Sequence, residues 1–129
     1  MNAGTSLSAR DIKQGLQRCR ALAKQDVVAA AGDPELARAG ADAEVRRRLY
    51  QELADLAETC TPDELVSAAV ARYMDLPVVA QESRAAHAQV VAEEEALENF
   101  FVMVGLDPEL RTYAWRVRPR IIDEPLAVS

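Results

Sequence analysis

An all-α fold is what this sequence predicts: an antiparallel bundle of four main helices plus a short fifth, with an extended C-terminal arm. Three observations carry that expectation. Alanine fills 24 of 129 positions while only six residues are aromatic. Alanine is the strongest helix former, whereas β-rich chains favour branched and aromatic residues. Apolar residues recur at three- and four-residue spacing over long stretches, the period of a helix with one buried face. Helix-start signals recur as well: DPEL at 33–36 and again at 107–110, and CTPDEL at 60–65.

The repeated tetrapeptide is local grammar. Asp is a favoured N-cap because its carboxylate accepts orphan amides of the first turn. Pro suits the next position, where its missing N–H is not needed. Glu in the first turn complements the positive end of the helix dipole. Gly32 and Gly105 stand just upstream of the two copies, where a preceding helix would close on a left-handed residue. In CTPDEL, Thr61 is the cap, Pro62 the first helical residue and Glu64 the partner of a capping box.

The elements then follow in order. A first helix is expected over about 7–31, capped by Ser6 or Ser8, with Ile12, Leu16, Cys19, Ala23, Val27 and Ala30 along its stripe. A short helical turn begins at Pro34 and is expected to break near 39–42, because Gly40 is costly inside a helix and Asp42 can cap a restart. The second main helix is expected over about 43–60, with Val45, Leu49, Leu53, Leu56 and Cys60 on one face. A third covers about 62–75, burying Leu65, Val66, Ala69, Val70, Tyr73 and Met74. Pro77 disfavours helix at Leu76. A long fourth helix is expected over about 77–104, with the stripe Val79, Ala86, Val90, Leu97, Phe101 and Val104. The short fifth starts at Pro108 and fades near Trp115.

AWRVRPRII breaks this rhythm. Trp115, Val117 and Ile121 alternate with Arg116, Arg118 and Arg120, the period of extended chain. The expected division is therefore a helical domain over 1–113 and an extended basic arm over 114–129. A lone ribbon in an all-α chain must lie in its own bundle, pair with a second copy or dock on another protein.

Composition limits function. Half the residues are hydrophobic and the length suits one domain. A net charge of −6 argues against a bulk nucleic-acid binder. The charge is uneven: residues 1–31 carry five Lys/Arg against two acids, 77–105 one Arg against five Glu, and 110–122 four Arg and no acid. The first residues lack the basic flank and apolar run of a signal peptide, and no apolar stretch approaches a membrane span, so a cytoplasmic location is expected. Arg outnumbers Lys thirteen to two, which suggests a GC-rich bacterial genome. Cys19 and Cys60 provide no disulfide framework and read as buried reduced thiols.

No catalytic constellation is legible, and the sequence predicts a non-enzyme with no catalytic residues, no cofactor and no metal. The sole histidine, His87, has Arg84 three positions before it, where a di-iron bundle would need Glu. The five glycines are scattered and form no phosphate loop. AEEEALE at 92–98 spreads its carboxylates over several helix faces, as a solvated surface or as a negative patch for an arginine-rich partner. Arg46, Arg47 and Arg48 read as a polar face paired with Glu44, Glu52 and Asp55.

DAEVRRRLYQELADLAETCTPDELVSAAVARYMDL, residues 42–76, resembles the two helices of ribbon-helix-helix DNA-binding proteins. That resemblance implies a DNA-reading strand before residue 42. AGDPELARAGA stands there instead, so no DNA-contact residue is implied.

The function expected is a small protein-interaction module, such as an adaptor, a chaperone-like protein or a regulatory subunit, self-associating as a homodimer. The candidate partner-binding residues are Tyr113, Trp115, Arg116, Arg118 and Arg120, types enriched at interface hot spots. The alternative is a nucleic-acid-binding regulator using the basic arm and Arg10, Lys13, Arg18, Arg20 and Lys24 of the first helix, with steeply salt-dependent affinity.

Overall fold

Five α-helices, and no strand among the described residues, make up a computed structural model that describes residues 5–117. They are α1 (Ala9–Ala30), α2 (Ala37–Leu56), α3 (Pro62–Met74), α4 (Arg84–Val104) and α5 (Pro108–Val117). A single 3-10 turn, Pro34–Leu36, joins α1 to α2.

The start signals act as the local chemistry requires. Ser8 Oγ accepts the Asp11 amide at 3.1 Å and opens α1. Thr61 and Glu64 form the reciprocal capping box of α3, with Glu64 Oε1 accepting the Thr61 amide at 2.8 Å. Asp33 and Asp107 each accept the amide two residues on, from Glu35 at 3.0 Å and Glu109 at 2.8 Å. Gly32 and Gly105 both take positive φ, 80° and 69°. At Gly105 the amide of the next residue, Leu106, reaches back to the Phe101 carbonyl at 2.9 Å, the closing bond of a Schellman motif.

α1 and α2 lie antiparallel. Polar pairs run Asp26 to Arg46, Arg20 to Gln51 and, just past the end of α2, Lys13 to Glu58, so that numbers rise on one side as they fall on the other. The core is one cluster drawn from all five helices: Ile12 and Leu16; Leu49, Tyr50 and Leu53; Leu65, Val66, Ala69 and Tyr73; Leu97, Phe100, Phe101 and Val104; and Ala114. Tyr73 meets Phe101 edge-to-face at 5.4 Å, and Phe100 meets Phe101 at 6.3 Å. Aromatics bury the largest areas per residue, so this trio anchors the aromatic half of an otherwise alanine-rich core. Thr5 ties the start of the described chain to two helix ends, donating its amide to Asp63 at 3.1 Å and its hydroxyl to the Val104 carbonyl at 2.6 Å.

Four expectations are corrected. The helix does not break at 39–42: α2 runs through Gly40. A Cβ on Gly40 would lie 2.9 Å from Ala30 Cβ, so the missing side chain lets the end of α1 approach the start of α2. That contact outweighs a propensity cost of about 1 kcal/mol. α2 ends at Leu56 rather than 60, its last residue 40 % exposed.

α4 begins at Arg84 rather than 77. Val78 and residues 80–86 are exposed, and the first buried residue is Ala88. Helical turns without a buried face do not hold themselves together. For the same reason Ala86 is outside the core, and the buried stripe is Ala88, Ala92, Ala96, Leu97, Phe100, Phe101 and Val104.

The chain is not extended at 114–117. α5 continues to Val117, and the expected boundary at 113/114 falls inside it. Ala114 is buried and Leu110, one turn earlier, packs against the core. The alternation at 115–117 is too short to exclude a helical period, and a helix satisfies its own backbone where no sheet is at hand. Residues 118–129, including Arg118, Arg120 and the rest of the arm, lie outside the described residues. Before α2 stands a 3-10 turn where a DNA-reading ribbon would be, so the ribbon-helix-helix arrangement is not present there.

Candidate functional site

A cleft of about 460 Å³ opens between α4 and α5. Glu98, Asn99, Phe101 and Val102 supply one wall, and Pro108, Arg111, Thr112 and Trp115 the other, with Tyr73 of α3 at the base. On α5, positions 108, 111/112 and 115 share one helix face, one turn apart. The α4 residues share a face by the same spacing. Buried Leu106 and the half-buried Leu110 hold α5 down, which fixes the width of the groove.

The cleft combines apolar surface with a few directed polar groups. Trp115 is 51 % exposed and Val102 63 % exposed. Tyr73 donates its hydroxyl to Glu98 Oε2 at 2.8 Å, which holds that carboxylate against the α3 wall. Asn99 faces Tyr50 of α2 across a long 3.5 Å contact. Arg111 is half-buried, and its Nε is buried without a hydrogen-bond partner. A buried donor left unpaired is costly, because desolvation is not offset.

Of the residues predicted for partner binding, three are described, and the helix divides them. Trp115 lines the α4–α5 cleft, while Tyr113 and Arg116 line, with Glu109, an adjacent depression of about 370 Å³ that shares Pro108 and Thr112 with the cleft. Tyr113 is 55 % exposed. Successive helical positions turn by about 100°, which sends 113 and 116 one way and 115 the other. Tyr73 was read from the sequence as core and Glu98 as part of the acidic run, and neither they nor Val102 and Arg111 were named as site residues. The signal was present in the spacing of Leu106, Leu110 and Ala114, which marks the buried face of a fifth helix and so places Arg111 and Trp115 beside it.

The remaining charged motifs are engaged in structure. Arg72 of α3 bridges Glu52 of α2 and Glu93 of α4. Glu93 and Glu98, from the acidic run, therefore serve interhelical contacts. Arg47 and Arg48 both bond Glu44, at 2.9 and 3.0 Å, as the pattern of residues three and four apart predicts. Arg46 instead crosses to Asp26, Glu52 pairs with Arg72, and Asp55 accepts from Gln51. The Arg47 hydrogen bond, against some desolvation and with help from Arg48, holds the Glu44 carboxyl down at about 2. Cys19 and Cys60 are free and half-buried at the edge of the core. Burial pushes the Cys19 thiol up, against the pull of Arg18, which leaves less thiolate for reaction. Burial also raises the Tyr50 hydroxyl, chiefly by desolvation.

Among the described residues no group of three or more His, Cys, Asp or Glu is placed to hold a metal ion, and no helix is long and apolar enough to cross a membrane. No family model, no curated protein and no solved structure matches this chain.

Proposed function

We propose that this chain is a small protein-interaction module, of adaptor or regulatory-subunit type, which associates with a second copy of itself through the α4–α5 face. The observation that carries the reading is the half-exposed Trp115 beside exposed Val102, held on a short helix whose opposite face is buried through Ala114. A tryptophan presented by a rigid element, rimmed by polar groups, is the composition of an interface hot spot. In this reading the chemistry is binding rather than catalysis, and the setting is the cytoplasm.

The test is mass by light scattering across a dilution series, on the wild-type chain and on Trp115→Ala, with melting followed by circular dichroism. The expected result is a wild-type dimer whose dissociation constant rises by roughly thirtyfold in the variant, the equivalent of about 2 kcal/mol at a hot spot, with melting unchanged. A wild-type chain that stays monomeric at every concentration overturns self-association. A variant that melts early instead assigns Trp115 to the stability of its own fold.

A further inference from the structure

The cations on the α2-facing side of α1 are not all matched by acids. Lys13 is answered by Glu58 at 3.1 Å. Arg20 and Lys24, further along the same face, form no ion pair among the described residues. Arg20 bonds only the neutral amide of Gln51. Both line a groove of about 300 Å³ between α1 and α2, with Val27 and Val28 of α1 and Arg47 of α2, and no acidic side chain lines it. Arg47 shares the carboxylate of Glu44 with Arg48, so those three groups still carry one net positive charge. Asp26, two residues past Lys24, is taken by Arg46 at 3.6 Å. The groove therefore holds surplus positive charge on a chain whose net charge is −6.

One end of the groove is apolar. Val28 is 65 % exposed, more than any other large hydrophobic side chain among the described residues. Arg20, Lys24 and Val28 stand four residues apart, so two cations and an aliphatic group follow one another along α1 at intervals of about 6 Å. We propose that the α1–α2 groove docks an acidic helical segment of a partner protein, with two carboxylates one turn apart on Arg20 and Lys24 and an aliphatic side chain one turn further on against Val28. A helix laid along a groove presents its anchors at that same rise, and guanidinium and ammonium groups bond carboxylates more strongly than neutral acceptors. The small extent of the patch decides against nucleic acid. A duplex is held by phosphate contacts along its length, whereas three cations line this groove and Lys13 on the same face is already matched. The groove shares no lining residue with the α4–α5 cleft, so the inference stands apart from the proposed self-association.

The probe is a fluorescein-labelled, alanine-based helical peptide carrying Glu at two positions four apart and Leu four further on. Its anisotropy is followed as the full chain is added, beside the Arg20→Gln/Lys24→Gln double variant, whose fold is checked by circular dichroism. The expected result is saturable binding that weakens with added salt, because exposed charge pairs are screened. The double variant should bind about tenfold more weakly. A peptide with Gln in place of both Glu should lose the same factor against the wild-type chain, a comparison that needs no variant to fold. No binding by the wild-type chain overturns the inference, and so does equal binding by the double variant. A labelled DNA duplex held more tightly than the peptide, with the same sensitivity to the double variant, also overturns it and assigns the groove to phosphate. Trp115→Ala should bind the peptide as wild type does, and loss of binding there overturns the inference by placing the peptide in the α4–α5 cleft.

Discussion

The two copies of DPEL begin alike and end differently. Each follows a glycine at positive φ, and in each the Asp carboxylate accepts the amide of the Glu. The first copy opens as a 3-10 turn with no buried residue and a 40 % exposed Leu36, which runs directly into α2 at Ala37. The second opens a ten-residue helix. Between Gly105 and Asp107 sits Leu106, 2 % exposed in the core; Leu110 packs beside it and Ala114 is buried a turn later. Gly32 is followed directly by Asp33, with no apolar residue between. Identical capping chemistry therefore starts a first turn in both, and burial of the following face separates an exposed 3-10 entry into α2 from an α-helix that frames a site.

The largest break in that comparison is Leu106→Ala. Deleting a fully buried leucine side chain costs about 2–5 kcal/mol, and α5 should loosen with it. Denaturant titration together with Trp115 emission checks both effects. The matched Leu36→Ala change at the other connection should alter the unfolding midpoint little, since an exposed position falls within about 0.5 kcal/mol. Equal losses at the two sites would refute the role given to burial.

Gly40→Val probes the partner side of the first copy. Its side chain would run into Ala30, and overpacking costs about 1–3 kcal/mol. If Gly40 marked only a weak point in the helix, the substitution would raise the melting temperature instead. The caps separate the copies more finely. Asp107→Ala should cost about 1 kcal/mol. Asp33→Ala should cost less, because the turn it caps holds nothing in the core. A pair of equilibrium unfolding curves decides the order.

The smallest effect is electrostatic and lies on α2, just past the first copy. Glu44 is held below the ordinary carboxylate range in the folded chain. Its contribution to stability is therefore complete above about 4.5, and fades as pH falls towards about 2 and the carboxyl is protonated. Glu44→Gln should be slightly less stable than wild type at neutral pH, and the gap should close across that acid window. The pair is exposed enough for salt to screen it, so the gap should also narrow at high ionic strength.

How legible the molecule was in its sequence varied by region. The helices over 9–30 and 62–74 were readable almost to the residue, because Ser8 and Thr61 cap them and their apolar stripes are regular. The start of α4 was not, because Val79 and Ala86 continue the apolar spacing without anything to bury them. Gly40 misled in the opposite sense: its propensity cost is local, whereas the Ala30 contact that offsets it comes from the end of another helix, ten residues back. At the candidate site, Tyr113, Trp115 and Arg116 were named as partner-binding residues, the last two on an extended arm, and all three are exposed. On a helix they fall on two sides, and the cleft is completed by Glu98, Val102 and Arg111, which only the meeting of α4 and α5 brings together.

By itself the sequence determined that the chain is helical and where most helices begin, because capping, proline placement and glycine handedness act within a few residues of one another. Tertiary structure alone decided which starts became elements, that α2 passes through Gly40, and that α5 lies against α4 with Trp115 and Arg111 facing one groove. The physical reason is range: a cap is satisfied by its own next turn, whereas burial is settled by residues far along the chain that meet only when the bundle closes.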